Sequence, residues 1–508
     1  MYRANCIAAV FRVRLATIAV AGLMVSGTAW SAEDAIIAPA SRKVESKNMK
    51  LVGYNDLQGR SAYQPVIHKQ GDRWIAYVGH HGGTREKPKH LNPLTKQDED
   101  NGTSVVDVTD PRRPKYLAHI PGEPGFGEQG GAQMVRVCDG KTLPKGDRSK
   151  TYLLRTGGTS AQEIWDVTDP ARPSLLTTVV KGLKDTHKNW WECETGIAYL
   201  VSDGRPEKWR TKRMTKIYDL SDPANPVFIR NFALVGQQPG AAGEKVPEDT
   251  HGPIVAGNRV YFGYGTLLAG VAQIVDRDKL LKGNPASSDP FAPTVENLLY
   301  PQISRIDLIP TQGAHTTLPI LGVEVADFDN FVVKSGDWRS GKPAKRDLLL
   351  IVNESTQNEC REDNHMIFMA DITDETRPAI ISSFHVPEKP GKFCERGGRF
   401  GAHASHENMT PIYHKRLAFI SWFNAGVRVV DYRNPFAMRE VAHYIPAINK
   451  NTAKRCIKID GKDRCKIAIQ TNNPEVDDRG YIYIVDRAGT GMHILELTGA
   501  ARKIANFK

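Results

Sequence analysis

The chain lacks the sequence features of several common functional classes. Beyond its first thirty residues, no apolar run approaches the ~20 residues that a membrane-spanning helix needs, so we expect no membrane span. The formal net charge is +11, but no long run of lysine and arginine is present, and we therefore expect no nucleic-acid partner. There is no G-x-S-x-G nucleophile elbow and no glycine-rich phosphate loop, which argues against nucleophilic hydrolysis.

Cysteine is scarce, with seven residues and no C-x-x-C pair. One of the seven lies in the export segment described below, which leaves six, an even number that suits disulfides in an oxidising compartment. Two of them flank a short loop and predict a hairpin disulfide, whereas the other four allow three pairings. A two-cysteine metal site is the alternative interpretation. The pairs that we expect are Cys456 with Cys465, Cys138 with Cys193 and Cys360 with Cys394.

The first 31 residues read as a signal peptide. Arginines precede an apolar run over Leu15–Val25, and small residues surround Ala29–Ala32, where cleavage is expected near Ser31 or Ala32. The mature protein should therefore be periplasmic or secreted, with a net charge of about +8 once the three basic residues of the signal have left. Residues 32–50 are polar and unpatterned, and we interpret them as an N-terminal tether.

A short motif recurs seven times along the remaining chain. Each copy has an alternating run of β-branched or aromatic residues, a turn of the Asp/Asn-Pro type in the clearer copies, and a second apolar run, which predicts the outer hairpin of a small antiparallel sheet. The aspartates before the turns are expected to form those turns. The copies are Ser104–Pro114, Ile164–Pro173, Ile217–Pro226, Gln273–Asp278, Met369–Pro378, Arg428–Pro435 and Ile494–Leu497. The aspartates are Asp107, Asp166, Asp219, Asp276, Asp371 and Asp431.

Upstream of most copies lie two further strand-like runs, so each unit predicts four strands. A sheet this small cannot bury both faces alone, and neighbouring sheets must stack around an axis. We therefore expect an all-β fold: a seven-bladed β-propeller of four-stranded antiparallel blades. It should be a single monomeric domain over residues 51–508 with loop insertions at Arg85–Asn101, Pro285–Pro293 and Asp329–Arg346. Leu51–Leu57 should join the last blade and close the ring.

The units resemble LVIVD repeats. Val105-Val106-Asp107 and Val429-Val430-Asp431 repeat the Leu/Val/Ile-Val-Asp core for which these repeats are named. The resemblance extends over nearly all of the mature chain. It implies a β-propeller and says little about activity.

When the units are aligned on their hairpins, four consecutive blades begin with a histidine at one position. The first strand of a propeller blade is the innermost, so residues at its start face the mouth of the central channel, where side chains from different blades can meet. The remaining three blades carry Tyr63, Gln133 and Asn472 at this position. The four histidines are His187, His251, His315 and His403.

These four histidines predict a metal site. A single histidine at a fixed blade position is more often structural, but four at one position are harder to explain by packing. Neutral imidazole is the protein ligand that iron, copper, nickel and zinc prefer, and the set contains no thiolate. We expect a transition metal, iron or copper first and zinc next, held by all four side chains.

The loop between the second and third strands opens on the same face and supplies the candidate catalytic residues. Blade one provides His80 and His81, as proton carriers or additional ligands, and blade five provides Glu354. His406 could flank the site, and Glu194, Glu354 or Glu407 could hold the far nitrogen of a ligand histidine. Aromatic residues near these openings either form the floor of a substrate pocket or pack between blades. They are Trp190, Trp191, Tyr264, Trp422 and Phe423.

The layout is similar to that of two metal-binding propeller groups, the carotenoid cleavage oxygenases and the selenium-binding protein or methanethiol oxidase group. Their sequence motifs are not matched, so the similarity assigns no residues. It implies a metal-dependent oxidoreductase acting on a small molecule. Two alternatives remain open from the sequence: a non-catalytic propeller that binds a protein, glycan or surface partner, and a protein for metal capture or delivery.

Overall fold

Seven antiparallel sheets follow one another along the chain and confirm the predicted seven-bladed β-propeller. The computed structural model describes residues 36–37, 43–243, 245–266, 269–325 and 345–507.

In each of blades one to five, four strands run in chain order from the axis outwards. Blade one consists of Ala62–Gln70, Arg73–His81, Gly102–Asp107 and Lys115–Pro121. Blade two consists of Val135–Asp139, Thr151–Gly157, Ala161–Asp166 and Ser174–Val180. Blade three consists of Asn189–Trp191, Ile197–Ser202, Met214–Asp219 and Val227–Phe232. Blade four consists of Thr250–Ala256, Arg259–Tyr264, Val271–Asp276 and Gln302–Asp307. Blade five consists of Thr316–Glu324, Lys345–Val352, Ile367–Asp371 and Ala379–Phe384.

The N-terminal segment completes the last two blades. Met49–Asn55 pairs antiparallel with Met492–Leu497 and forms the outermost strand of blade seven, so the two ends of the propeller share one sheet. Glu45–Lys47, within the predicted tether, pairs with the outer strand of blade six, because that strand offers a free edge. Residues 403–407 take the innermost position of blade six, where Ser405 bridges Ile420. The other strands of blade six are Leu417–Ser421, Val427–Asp431 and Arg439–Ile445. Those of blade seven are Thr471–Val476, Ile482–Asp486 and Met492–Leu497.

The core of the described chain divides into seven hydrophobic clusters, one at each junction between neighbouring blades. Successive side chains of a strand point to opposite faces of its sheet. In blade one, Ile75 and Tyr77 therefore pack towards blade two, whereas Ala76 and Val78 pack towards blade seven. Both faces of each blade are buried in this way, so neighbouring residues of an inner strand, one on each face, can both be apolar.

Five of the six recurring aspartates form turns, as predicted. The Asp107 carboxylate accepts the backbone N–H of Thr109 at 2.9 Å, and four other blades repeat this contact two residues on. Asp276 instead caps a helix by accepting the N–H of Lys279. These short side-chain contacts start the turn between the third and fourth strands of the blades.

The three predicted disulfides are confirmed. Cys360–Cys394 joins the loop between the second and third strands of blade five to the connection that follows this blade. Cys138–Cys193 joins blade two to blade three, and Cys456–Cys465 crosses a hairpin. That hairpin consists of Lys454–Ile459 and Lys462–Ile467 and stands between blades six and seven. Ile36–Ile37 pairs parallel with its second strand.

Within the described residues, few other regular elements interrupt the propeller. The insertion predicted at Arg85–Asn101 forms a small hairpin, and Gly131–Ala132 adds a short strand to the end of Arg73–His81. The hairpin strands are Lys89–Leu91 and Asp98–Asp100. The α-helices are Arg277–Lys282, Val295–Leu299, Glu388–Gly391 and Gly499–Ile504. The 3₁₀-helices are Leu57–Gly59, Gly127–Gln129, Arg205–Glu207 and Phe393–Glu395.

Two sequence predictions fall largely outside the described residues, namely the signal peptide over residues 1–31 and most of the insertion at Asp329–Arg346. Within the described part of the chain, no helix combines the length and the apolar character needed to cross a membrane.

Candidate metal centre in the central channel

The four predicted histidines lie together on the propeller axis, each at or just before the start of an innermost strand. The Nε2 atoms of His187 and His251 are 2.9 Å apart. The ring centroids of His251 and His315 are 3.4 Å apart, and those of His315 and His403 are 4.5 Å apart. None of the four is more than 3% exposed. The sequence had suggested a site at the open mouth of the channel. The structure instead buries the four histidines within the channel.

Hydrogen bonds fix which nitrogen of His403 is free. Its Nδ1 donates to the backbone carbonyl of Asn472 at 2.7 Å, because a carbonyl can only accept. The proton of the neutral ring is then on Nδ1, and Nε2 presents a lone pair. That Nε2 is buried and has no hydrogen-bond partner in the described chain, and the same holds for Nε2 of His315, whose Nδ1 contacts Thr316 Oγ1 at 3.1 Å.

A buried carboxylate faces these two nitrogens. The Oε2 atom of Glu354 is 3.7 Å from Nε2 of His315, and its Oε1 atom is 3.6 Å from Nε2 of His403. One ligand atom from each of the three residues lies within 4.8 Å of the other two. These separations are too long for hydrogen bonds. The two carboxylate–imidazole separations are slightly longer than the ~3 to 3.5 Å between two ligands that lie ~2.1 Å from one metal.

The ionisation of these groups follows from their burial. Burial lowers the pKa of all four histidines well below the usual value, so the rings are neutral and able to coordinate. Burial also raises the pKa of Glu354. The positive charge of Arg399, which donates a hydrogen bond of 3.0 Å to this carboxylate, acts to lower it.

Tyr63 completes the His187–His251 side of the cluster. Its hydroxyl lies 3.2 Å from Nε2 of His187 and 3.3 Å from Nε2 of His251. Burial raises the pKa of Tyr63 well above its usual value, so the phenol keeps its proton and can donate it to either imidazole. Tyr63 occupies the position in blade one that corresponds to the histidines when the seven repeat units are aligned with one another.

Of the two adjacent histidines in blade one, only His81 faces the cluster. Its ring packs edge-on against Tyr63, with centroids 4.8 Å apart, and its Nε2 accepts a hydrogen bond of 2.9 Å from Nη2 of Arg487. Burial, reinforced by the Arg487 charge, lowers the pKa of His81 to about 4. His80 points to the other face of the strand, where its Nε2 contacts Ser104 Oγ at 2.8 Å.

Three charged residues of the site were not predicted. Glu128 accepts a 2.6 Å hydrogen bond from Arg487 and lies 3.6 Å from Nδ1 of His187, and Arg399 holds Glu354. Burial opposes ionisation of Glu128, but His81, Arg487 and His187 outweigh it and keep its pKa well below the usual value. Arg487 follows the second strand of blade seven, in a loop equivalent to those of His81 and Glu354, so the loop alignment could have found it.

The other flanking candidates are placed elsewhere. His406 accepts the backbone N–H of Phe419, and Glu194 is exposed. Of the aromatic candidates, Phe423 packs against His403 with ring centroids 4.8 Å apart, whereas Trp422 belongs to the core between blades five and six.

A second layer of buried charge adjoins the histidines. Lys188, which is 2% exposed, and Arg136 both make short ion pairs with the carboxylate of Glu407. Glu475 accepts the backbone N–H groups of Asn408 and Val476 at 3.0 and 2.8 Å. A cavity of about 230 Å³ adjoins Arg136, Glu407 and Glu475 and is bordered by Trp190. We call Arg136, Lys188, Glu407 and Glu475 the charged layer.

Glu475 should make the stability of the protein depend on pH. Burial, with the negative charge of Glu407, raises its pKa from 4.5 to about 7, against the backbone N–H groups and Arg136. Its contribution to stability is thus fully present below about pH 4.5 and is lost as pH rises through 7. Glu475→Gln should leave the free energy of unfolding unchanged at pH 4 and raise it by up to about 3 kcal/mol at pH 8, measured by urea unfolding. The exposed Glu324→Gln is the control, and an equal gain in both variants would contradict this assignment.

Comparison with known proteins adds little to this description. No family model matches the chain, and no curated protein matches it. Among solved structures, the chain is similar to the β-propeller domain of Cps50 (Swd1) from Myceliophteria thermophila, at 10% sequence identity and a TM-score of 0.45. The match covers 85% of this chain and 96% of that chain. The blade count given above rests on the strand order of the protein itself.

Proposed function

We propose that this protein is an exported metal-binding β-propeller with metal-dependent oxidoreductase activity. The observation that carries the proposal is the pair of buried, unpartnered Nε2 atoms on His315 and His403 that face the carboxylate of Glu354. Leaving such nitrogens without a partner is costly, and a metal ion would satisfy both at once.

The residues present fit a transition metal. His315, His403 and Glu354 would hold the ion, with His187 and His251 as further nitrogen donors on the adjacent blades. Two imidazoles and a carboxylate form a donor set that suits non-haem iron, and additional imidazoles also suit copper or zinc. Glu354 therefore serves better as a ligand than as the catalytic group that the sequence suggested. Tight burial and the fixed Nδ1–H of His403 are typical of an oriented ligand.

The surrounding residues would hold and transfer protons in a site that excludes water. A bound ion with an open position supplies Lewis-acid or redox chemistry to a small molecule. The neutral hydroxyl of Tyr63 holds a proton beside His187 and His251. His81 is neutral at physiological pH, and its Nε2 accepts a hydrogen bond from Arg487, so it would take up a proton only after that bond opens.

Three disulfides support export of the chain to an oxidising compartment, since such bonds rarely persist in the cytosol. The repeat pattern supports placing it among LVIVD-type propellers. We therefore propose that residues 1–31 act as a cleaved signal and that the protein works in the periplasm or outside the cell.

Elemental analysis of the exported protein tests the proposal. We expect about one transition-metal ion per chain, because a single cluster of ligand atoms is found in the described residues. Chelation should remove the ion while circular dichroism retains the β-sheet signal, since the core clusters lie between the blades and not at the site. A protein that is metal-free when purified and does not take up iron, copper or zinc afterwards would contradict the proposal.

A further inference from the structure

A cavity of about 510 Å³ opens beside the metal centre. It lies between blade one, blade seven and the disulfide-linked hairpin of Lys454–Ile459 and Lys462–Ile467. This volume falls within the range of small-molecule sites. Arg487 stands in its wall and contacts both Glu128 and His81, so this side chain separates the cavity from the channel residues and touches both.

The walls of this cavity are strongly basic. Among its described lining residues, four are lysine or arginine, and Glu86 is the single carboxylate. Glu86 lies 3.6 Å from Lys454 and is mostly exposed, and Glu128, outside the lining, already pairs with Arg487 at 2.6 Å. The positive residues are Lys87, Lys454, Arg455 and Arg487.

The two inner arginines have donors that the protein does not use. Nη1 of Arg487 and Nε of Arg455 are buried and have no hydrogen-bond partner in the described chain, and Arg487 is only 8% exposed. Arg455 is anchored because its Nη2 donates to the backbone carbonyl of Arg487 at 2.8 Å. Burial, together with the charge of Arg487, lowers the pKa of Arg455 to about 10. These two nitrogens have almost no accessible surface, so a ligand in the cavity would meet the other guanidinium atoms of the two arginines, which place two neighbouring positive charges on one wall.

We propose that Arg455 and Arg487 bind the oxyanion group of a small-molecule substrate, a carboxylate, phosphate or sulfate, in this cavity. The planar fork of a guanidinium matches such groups with paired N–H donors. The proposal extends the function proposed above, because the rest of the bound molecule would face the metal centre. Nη1 of Arg487 lies 3.9 Å from Oε1 of Glu354, so this one side chain connects the cavity wall with the ligand set.

Calorimetric titration with acetate, benzoate, phosphate and sulfate tests this site. We expect at least one of these anions to bind to the purified protein, while benzyl alcohol, the neutral counterpart of benzoate, does not. Arg455→Gln should weaken binding about tenfold or more, because it removes a charge-assisted hydrogen bond. Lys458→Gln is the matched control, since it removes one positive charge from an exposed position of the same strand, and it should bind as the wild type does. Thermal unfolding of both variants shows whether the hairpin remains folded.

Titration after chelation separates this proposal from the metal-site proposal. Binding that persists without metal and depends on Arg455 supports the anion site, even if the protein proves to be metal-free and the proposed function fails. Anion binding that requires the metal and is unchanged in Arg455→Gln would place the anion on the ion itself and overturn the proposal. Absence of binding for all four anions would also overturn it. Arg455→Lys should recover part of the affinity, because it restores the charge without the fork.

Discussion

Replacing His403 with alanine is expected to weaken metal binding about 100-fold or more. The Nε2 atom of His403 is buried and unpartnered, and Asn472 holds its ring in the orientation that presents the lone pair. Even residues that only orient a ligand typically change metal affinity by about 10- to 100-fold, so loss of a ligand should exceed that range. Metal competition with a chromophoric chelator measures the change.

His406 provides the matched control for this experiment. It lies three residues further along the same segment and is equally buried, but its Nδ1 accepts the backbone N–H of Phe419 away from the cluster. We expect His406→Ala to keep the metal affinity of the wild type even if it lowers stability. If both variants lose metal to the same extent, the effect arises from unfolding of blade six and the ligand assignment is wrong. Glu354→Gln should fall between them, because the amide oxygen remains a weaker donor.

The blade count and the convergence of the histidines could be predicted because both depend on local pattern. Alternating apolar residues and the Asp turn identify each outer hairpin without reference to the rest of the chain. Once the blades are counted, geometry places the starts of all the inner strands around one axis. His187, His251, His315 and His403 therefore met as predicted, from positions far apart in the sequence.

The remainder of the site depends on features that a linear pattern does not contain. His80 and His81 differ only in the face of the strand to which they point, and a shift of one residue in register would exchange them. Arg399 and Glu128 come from loops without regular spacing, so their approach to the axis is set by tertiary packing. The pairing of Glu45–Lys47 with blade six joins segments nearly 400 residues apart, which no local signal could indicate.

Replacement of Glu407 with glutamine is expected to lower the free energy of unfolding by about 3 to 5 kcal/mol. Glu407 is the shared partner of Lys188 and Arg136, and all three side chains are almost completely buried. Removing one member of a buried ion pair leaves an uncompensated charge, which typically costs this much. Urea unfolding followed by tryptophan fluorescence measures the loss.

A second substitution distinguishes charge from packing in this layer. In the Glu407→Gln background, Lys188→Met removes one of the unpaired cations, so the double variant should regain much of the lost stability. The control is Glu496→Gln on the neighbouring blade seven, a partly exposed glutamate paired with the exposed Lys50, which should cost about 1 kcal/mol or less. A loss in Glu407→Gln no larger than that of the control would show that the charged layer contributes little.

The loss in Glu407→Gln should itself depend on pH, because Glu475 adjoins the same cations. In the wild-type protein the charge of Glu407 helps to raise the pKa of Glu475 to about 7, and removal of that charge allows Glu475 to ionise more easily. At pH 8 an ionised Glu475 can neutralise part of the charge on Lys188 and Arg136, whereas at pH 5 it does so less. We therefore expect a larger loss of stability at pH 5 than at pH 8. An equal loss at both pH values would mean that Glu475 and Glu407 do not act on the same cations.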